Sequence, residues 1–328
     1  MTVARRYLVD PETPGFYHCT NRCVRRTFLC GVDELTGFDY SHRRDKLEAR
    51  MLELCDVFAV EIFAYAVMSN HYHIVLYIDP LAPQKWTDEE IAERWLLAYP
   101  GRLNLPKFAQ QREMKKQAIV NDPEKLKLYR ERLGELGWFM GRLNEPVAKS
   151  SNAEDNCTGK FWESRYSSQA LLDEAAVFSC MAYVDLNPVR AKITERLDES
   201  HNTSIKQRIE KLKNKTDKTT LNKQLDSMAG NIRKTRLTIS TKAYIELVEW
   251  TGKSIVHPNK ASIPPHITSV LYSLNLQQNH WLKQIENYGK NYIHVVGPIE
   301  AIRAKAKKMK VSCLHGIAAA KLLYAKPN

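Results

Sequence analysis

Two apolar runs, rich in β-branched and aromatic residues, lie between Glu61 and Ile78 on either side of a Ser69-Asn70 turn signal. They predict two strands joined by a tight connection. Upstream, Gly15-Phe-Tyr-His-Cys-Thr-Asn-Arg predicts a first strand that runs into a basic loop. From Ser41 to about Val57, the residues Leu47, Met51, Leu54 and Cys55 recur at helical spacing with charges on the other side. Strand, helix, strand, strand is the opening of a ferredoxin-like α+β sheet.

Beyond Asp79 the pattern becomes helical and polar, predicting helices over 86–99, 107–120 and 123–148. Asp88 and Asp122 near two of the starts suit the helix dipole. Trp95, Trp138, Phe139 and Leu143 read as the residues that bury these helices on the sheet; stacking of nucleic-acid bases is their alternative use. After a polar loop, 160–172 predicts a fourth strand. Asp173 then caps a helix beginning at Glu174, which Pro188 stops. The expected fold is therefore α+β: a ferredoxin-like antiparallel sheet with helices on one face, a helical insertion at about 81–150 and a helical C-terminal extension. Residues 1–205 form the main domain. The stretch 206–240 reads as a basic linker, because Lys206 to Arg236 carries ten Lys or Arg against three acids and few large apolar residues. Residues 241–328, with Trp250, Trp281, Tyr288 and Tyr292, read as a small helical domain.

Charge adds a partner. Lys and Arg total 49 against 37 Asp and Glu, a net +12 over 328 residues, which favours a polyanion such as nucleic acid. The seven scattered cysteines and the absence of an apolar signal core at the start point to a reducing, cytoplasmic setting. The longest apolar stretch, 57–68, is interrupted by Glu61 and is too short to cross a bilayer, so no membrane role is expected.

The chemistry begins at His71 and His73. Two residues apart on a strand, they share one face, and their imidazoles make half a metal site. The spacing alone also fits two histidines hydrogen-bonded at a sheet face. Tyr183 and Asn187 are four apart on the predicted helix and lie on one side of it, with Asp185 pointing away. Asn187 precedes proline, which biases it out of helical geometry and leaves its direction open. By spacing alone this pair also fits a packed tyrosine and a helix-ending asparagine. His18, Cys19 and Cys23 lack a second Cys or His pair at finger spacing, so the cysteines read as buried and structural. Arg22, Arg25 and Arg26 are candidates for phosphate contacts, or else a solvated loop.

Three blocks carry a resemblance: Ala64-Tyr-Ala-Val-Met-Ser-Asn-His-Tyr-His-Ile-Val-Leu, Gly159-Lys-Phe-Trp-Glu-Ser-Arg-Tyr and Tyr183-Val-Asp-Leu-Asn-Pro-Val-Arg-Ala. Together, and in this order, they resemble the single-tyrosine transposases of the HUH endonuclease superfamily, in particular the REP-associated tyrosine transposases. Ser69 stands where the family usually has Pro, and Tyr72 where it has a smaller aliphatic residue; these positions concern the turn and the far strand face. The resemblance implies His71 and His73 as ligands of a divalent metal (Mg²⁺ or Mn²⁺), Asn187 as the third ligand and Tyr183 as the nucleophile. Asn21, Arg22, Arg25, Arg26 and Arg190 are then the expected DNA contacts. The implied partner is single-stranded or hairpin DNA, cut through a 5′-phosphotyrosine, by a monomer or a homodimer. Two rival activities share the fold: a non-catalytic DNA-binding protein or repressor, and a HUH nickase of replication or conjugation. The intact His71, His73, Tyr183 and Asn187 set speaks against the first, and the single helix tyrosine followed by Asn187-Pro-Val-Arg against the second.

Overall fold

The computed structural model describes residues 8–24, 31–32, 37–99, 101, 105–213, 222–233, 237–257 and 262–324. Its strands are β1 (Gly15–Arg22), β2 (Val60–Val67), β3 (His71–Ile78), β4 (Ser167–Leu171) and β5 (Val295–Val296). They form one five-stranded sheet in the order β2-β3-β1-β4-β5. β1 sits between β3 and β4, antiparallel to both, and β2 is antiparallel to β3. β5 joins β4 in parallel, so the sheet is mixed and not wholly antiparallel as expected.

Before β4 come α1 (His42–Glu53), α2 (Asp88–Ala98), α3 (Ala109–Val120), α4 (Pro123–Leu133) and α5 (Leu136–Glu154). After it come α6 (Glu174–Asp185), α7 (Asn187–Arg190), α8 (Ser204–Lys213), α9 (Thr241–Val256), α10 (Pro265–Ser273), α11 (Gln278–Asn291), α12 (Ile299–Lys308) and α13 (Ile317–Leu323). The chain is thus a mixed α+β protein. Among the described residues no helix is long and apolar enough to cross a membrane.

Helices cover both faces of the sheet, a correction to the expected single covered face. Leu47 and Met51 of α1 and Phe139, Met140 and Leu143 of α5 join the buried cluster that holds Tyr72, Ile74 and Leu76 of β3. Val177, Phe178 and Met181 of α6 join a second cluster with Phe63, Ala64 and Ala66 of β2 and Val75 of β3. The reason lies in β2: all eight of its residues are buried, and a strand apolar on both sides needs cover on both.

Local chemistry sets the helix ends. Thr87 and Glu90 form a reciprocal capping box at α2, and Asp122 and Asp173 accept backbone N–H groups at α4 and α6. The helix expected over 123–148 is broken at Gly134, where a β-carbon would come within 2.9 Å of the Pro80 backbone, so only glycine lets the two segments meet. Pro188 does not stop the α6 helix; Leu186 does, and Pro188 opens the new turn α7, where its missing N–H removes no hydrogen bond. The strand expected over 160–172 is regular only from Ser167.

The described parts of 206–233 are packed. Ile205, Arg208 and Ile209 of α8 are buried, and Arg208 donates to Phe63 O at 2.7 Å. Ala229 bridges to Ile62 on the outer edge of β2, and buried Glu61 accepts the N–H groups of Ile232 and Arg233. Gly230, at φ +87°, lies so close to Val60 O that no side chain fits. This segment covers an edge strand that would otherwise be open to pairing.

One carboxylate joins three helices. Asp185, fully buried at the end of α6, accepts hydrogen bonds from Ser204 Oγ, from Ile205 N at 3.0 Å and from Tyr244 Oη of α9. Burial pushes its pKa up to about 6, against the pull of these donors and of Arg208. Removing it takes the acceptor from three buried donors and a negative charge from the surroundings of buried Arg208. Asp185→Ala should therefore lower the unfolding free energy by about 3 kcal/mol, read from the urea midpoint, and Asp185→Asn, which keeps an acceptor, by less. Equal midpoints for Asp185→Ala and the parent protein would remove this anchor from the account of the fold.

Candidate active site

The pairing of β1 with β3 places Thr20 opposite His73 and Arg22 opposite His71. Since strand side chains alternate, His18, Thr20, Arg22, His71 and His73 all face the side covered by α6. The imidazoles of His71 and His73 lie with ring centroids 5.0 Å apart. Tyr183, on the last turn of α6, approaches the same point: its ring centroid is 5.6 Å from that of His73 and 6.0 Å from that of His18. Both histidines and the tyrosine line one cavity of about 280 Å³, together with Thr20, Asn21, Arg22, Glu163, Ser164 and Ser167. Of the residues singled out by spacing, His71, His73 and Tyr183 are therefore brought together within a single chain.

Hydrogen bonds assign the ring nitrogens. Gln169 Oε1, as placed, can only accept, and His18 Nδ1 lies 3.3 Å from it, which assigns the His18 proton to Nδ1. His18 Nε2 is then an acceptor, and His73 Nδ1, 2.9 Å away, donates to it. Likewise His71 Nδ1 donates to Asn70 Oδ1 at 2.6 Å. In a neutral imidazole this leaves the Nε2 of both His71 and His73 as bare lone pairs, the state a metal ion requires. Neutrality follows from the surroundings. Burial, then the Arg22 charge, brings the His71 pKa down to about 4, and burial alone brings His18 to about 4 against its hydrogen bond to Gln169. His73 is held well below the ordinary value by burial, then by His18, His71, Arg190 and Arg22.

The remaining predicted residues take different places. Asn187 is buried, one turn beyond Tyr183, and its amide nitrogen has no hydrogen-bond partner; it does not line the 280 Å³ cavity. Arg190 lies over the Tyr183 ring at 4.6 Å and donates to Glu286 O at 2.8 Å. Asn21 spends its amide on Asn144 Oδ1 at 3.1 Å and on the Arg22 N–H at 3.0 Å. Arg22 is exposed at the cavity, whereas Arg25 and Arg26 lie outside the described residues. Cys19 and Cys23 are buried in the cluster on the far face from His18, so strand alternation separates them from it. Tyr72 also points to the far face, where its hydroxyl donates to Asn144 Oδ1 at 2.7 Å.

Among the described residues no group of three His, Cys, Asp or Glu side chains is placed to hold a metal. The donor set nonetheless fits a divalent ion that takes two imidazoles and completes its shell with oxygens, from an amide, water or phosphate. Sequence reasoning missed His18 and Gln169. The signal for His18 was present in β1, where His18, Thr20 and Arg22 alternate as polar positions in an apolar strand; Gln169 carried none beyond its place in β4.

No protein-family model matches the chain. No curated protein matches it. Among solved structures, a REP-associated tyrosine transposase bound to a REP hairpin is similar at 11% identity with a TM-score of 0.34, over 72% of this chain and 96% of that one.

Proposed function

We propose that this chain is a transposase-like DNA endonuclease and strand-transferase, acting on single-stranded or hairpin DNA through Tyr183. In this reading β2-β3-β1-β4 is a ferredoxin-like core of the kind the sequence blocks imply, and the enzyme works in the cytoplasm. The observation that carries the reading is the meeting of the Tyr183 ring with two neutral imidazoles whose Nε2 atoms are left bare, beside exposed Arg22.

A divalent ion, Mg²⁺ or Mn²⁺, held by His71, His73 and Asn187, would supply Lewis-acid stabilisation of the charge on the phosphate oxygens. The rest falls to the chain. Arg22 binds the backbone phosphate at the mouth of the cavity, aided by the net positive charge of the protein. Tyr183 Oη forms a bond to phosphorus as the bond from phosphorus to O3′ breaks. The 5′ end stays esterified to the tyrosine, and the phenolic proton is made good at the 3′-hydroxyl through solvent. Because the ester retains the bond energy, attack by a 3′-hydroxyl reverses the step and joins strands without a nucleotide cofactor. Arg190 over the ring restricts where the hydroxyl can point, which suits an in-line attack.

Tyr183→Phe removes only the nucleophilic oxygen, so hairpin binding should persist while the covalent protein–DNA adduct vanishes from a denaturing gel. An adduct that survives this change would identify another nucleophile. His71→Ala should reduce the adduct-forming rate by more than about 100-fold, beyond the loss typical of an outer-shell partner. Chelation of the parent protein should match it, with recovery on adding Mn²⁺. Tight hairpin binding with no adduct in the parent protein at any metal concentration would instead make the chain a non-catalytic DNA-binding protein.

A further inference from the structure

Tyr288 stands on α11, in the C-terminal extension, yet it touches both halves of the site. Its ring stacks on Tyr183, with centroids 4.6 Å apart and planes 22° from parallel. Its hydroxyl lies 3.1 Å from Gln169 Oε1, the same atom that accepts from His18 Nδ1. Tyr288 is 1% exposed, and the next residue, Gly289, is so close to the nucleophile that a β-carbon there would sit 3.4 Å from Tyr183 Oη.

We propose that Tyr288 is a positioning residue for the reaction, fixing the Tyr183 ring by stacking and the His73 tautomer through the chain Tyr288, Gln169, His18, His73. This rests on the proposed role of His71, His73 and Tyr183. The directions of the bonds make the argument. Tyr288 Oη donates to Gln169 Oε1, and a second donor at His18 Nδ1 fills both lone pairs of that oxygen, which favours the amide with its oxygen toward His18. The buried Cys180 thiol also interacts with the Tyr288 hydroxyl. With Oε1 so placed, His18 must donate from Nδ1 and accept at Nε2, and His73 must carry its proton on Nδ1. Without the Tyr288 hydroxyl, Gln169 can turn its NH₂ toward His18. His18 then takes the other tautomer and presents an N–H to His73 Nδ1, and His73 must move its proton to Nε2, the nitrogen that faces the metal. The stack acts separately: the ring of Tyr288 sets the plane in which Tyr183 Oη can swing.

Two full-length variants separate these effects. Tyr288→Phe keeps the stack and loses the hydroxyl; Tyr288→Leu loses both. Histidine ¹⁵N spectra, recorded with neither metal nor DNA, should show His18 and His73 only as Nδ1–H forms in the parent protein. A second, Nε2–H population of His73 should appear in Tyr288→Phe. Mn²⁺ titration of Tyr288→Phe should give a Kd about 10-fold weaker, the lower end for an outer-shell partner, with unchanged melting temperature and hairpin affinity. At saturating Mn²⁺, Tyr288→Leu should form adduct about 10-fold more slowly than Tyr288→Phe. Identical ¹⁵N spectra and Mn²⁺ affinity for Tyr288→Phe and the parent would overturn the tautomer role, and equal adduct rates for the two variants the stacking role. A parent protein that binds no Mn²⁺ would defeat the metal reading of the site, and the ¹⁵N spectra would still decide whether Tyr288 sets the tautomers.

Discussion

The hydrogen bond from His73 Nδ1 to His18 Nε2 is the contact on which the rest of the site depends. It exists because β1 and β3 are adjacent and antiparallel with His18 opposite Val75, so that His18 lies diagonally across from His73 on one face. A one-residue slip of register would turn His73 to the far cluster and bring Tyr72 up beneath Tyr183. The slip is blocked by burial on both sides: Tyr72, Ile74 and Leu76 fill one core, and Val75 the other. Two apolar cores thus hold a polar site in place at the end of the strand where the sheet meets solvent.

That arrangement explains why the buried imidazoles of His18 and His73, beside the partly buried one of His71, are tolerated. Each buried polar group needs a partner, and the cost of leaving one unmet is about 1–3 kcal/mol. His18 meets this with both nitrogens, and His71 and His73 with one each, so the two remaining nitrogens are the unmet ones. His71 and His73, each with Nε2 free of a protein hydrogen bond, line the same cavity as Tyr183 and exposed Arg22.

The C-terminal helices belong to this account. Trp281, Ile285 and Tyr288 of α11 lie in the same buried cluster as Phe178 and Met181 of α6, and β5 extends the sheet beyond β4. Asp185, two residues beyond Tyr183, ties α6 to α8 and α9. The helix that carries Tyr183 is therefore held on one side by the sheet and on the other by α8, α9 and α11, all later in the chain. A tyrosine on a helix so enclosed keeps one orientation.

Much of this was legible along the chain. The apolar runs rich in β-branched and aromatic residues marked β2 and β3, the 3.6 period located α1, and the caps Asp122 and Asp173 marked helix starts, because these signals depend on neighbours a few residues apart. For the same reason His71 and His73 were assigned to one face, and Tyr183 to a helix, before any contact was known. Local periodicity says which residues share a face and is silent on what lies against that face. Hence the cover on both sides of the sheet, the parallel β5, the packing of 222–233 along β2 and the burial of Arg208 emerged only in the fold. So did the Tyr288, Gln169, His18 and His73 chain, whose four members come from α11, β4, β1 and β3. The sequence determined the reactive residue types and the faces they occupy; the tertiary structure decided which ring nitrogens are left bare, since a proton's place on imidazole depends on a partner distant in sequence.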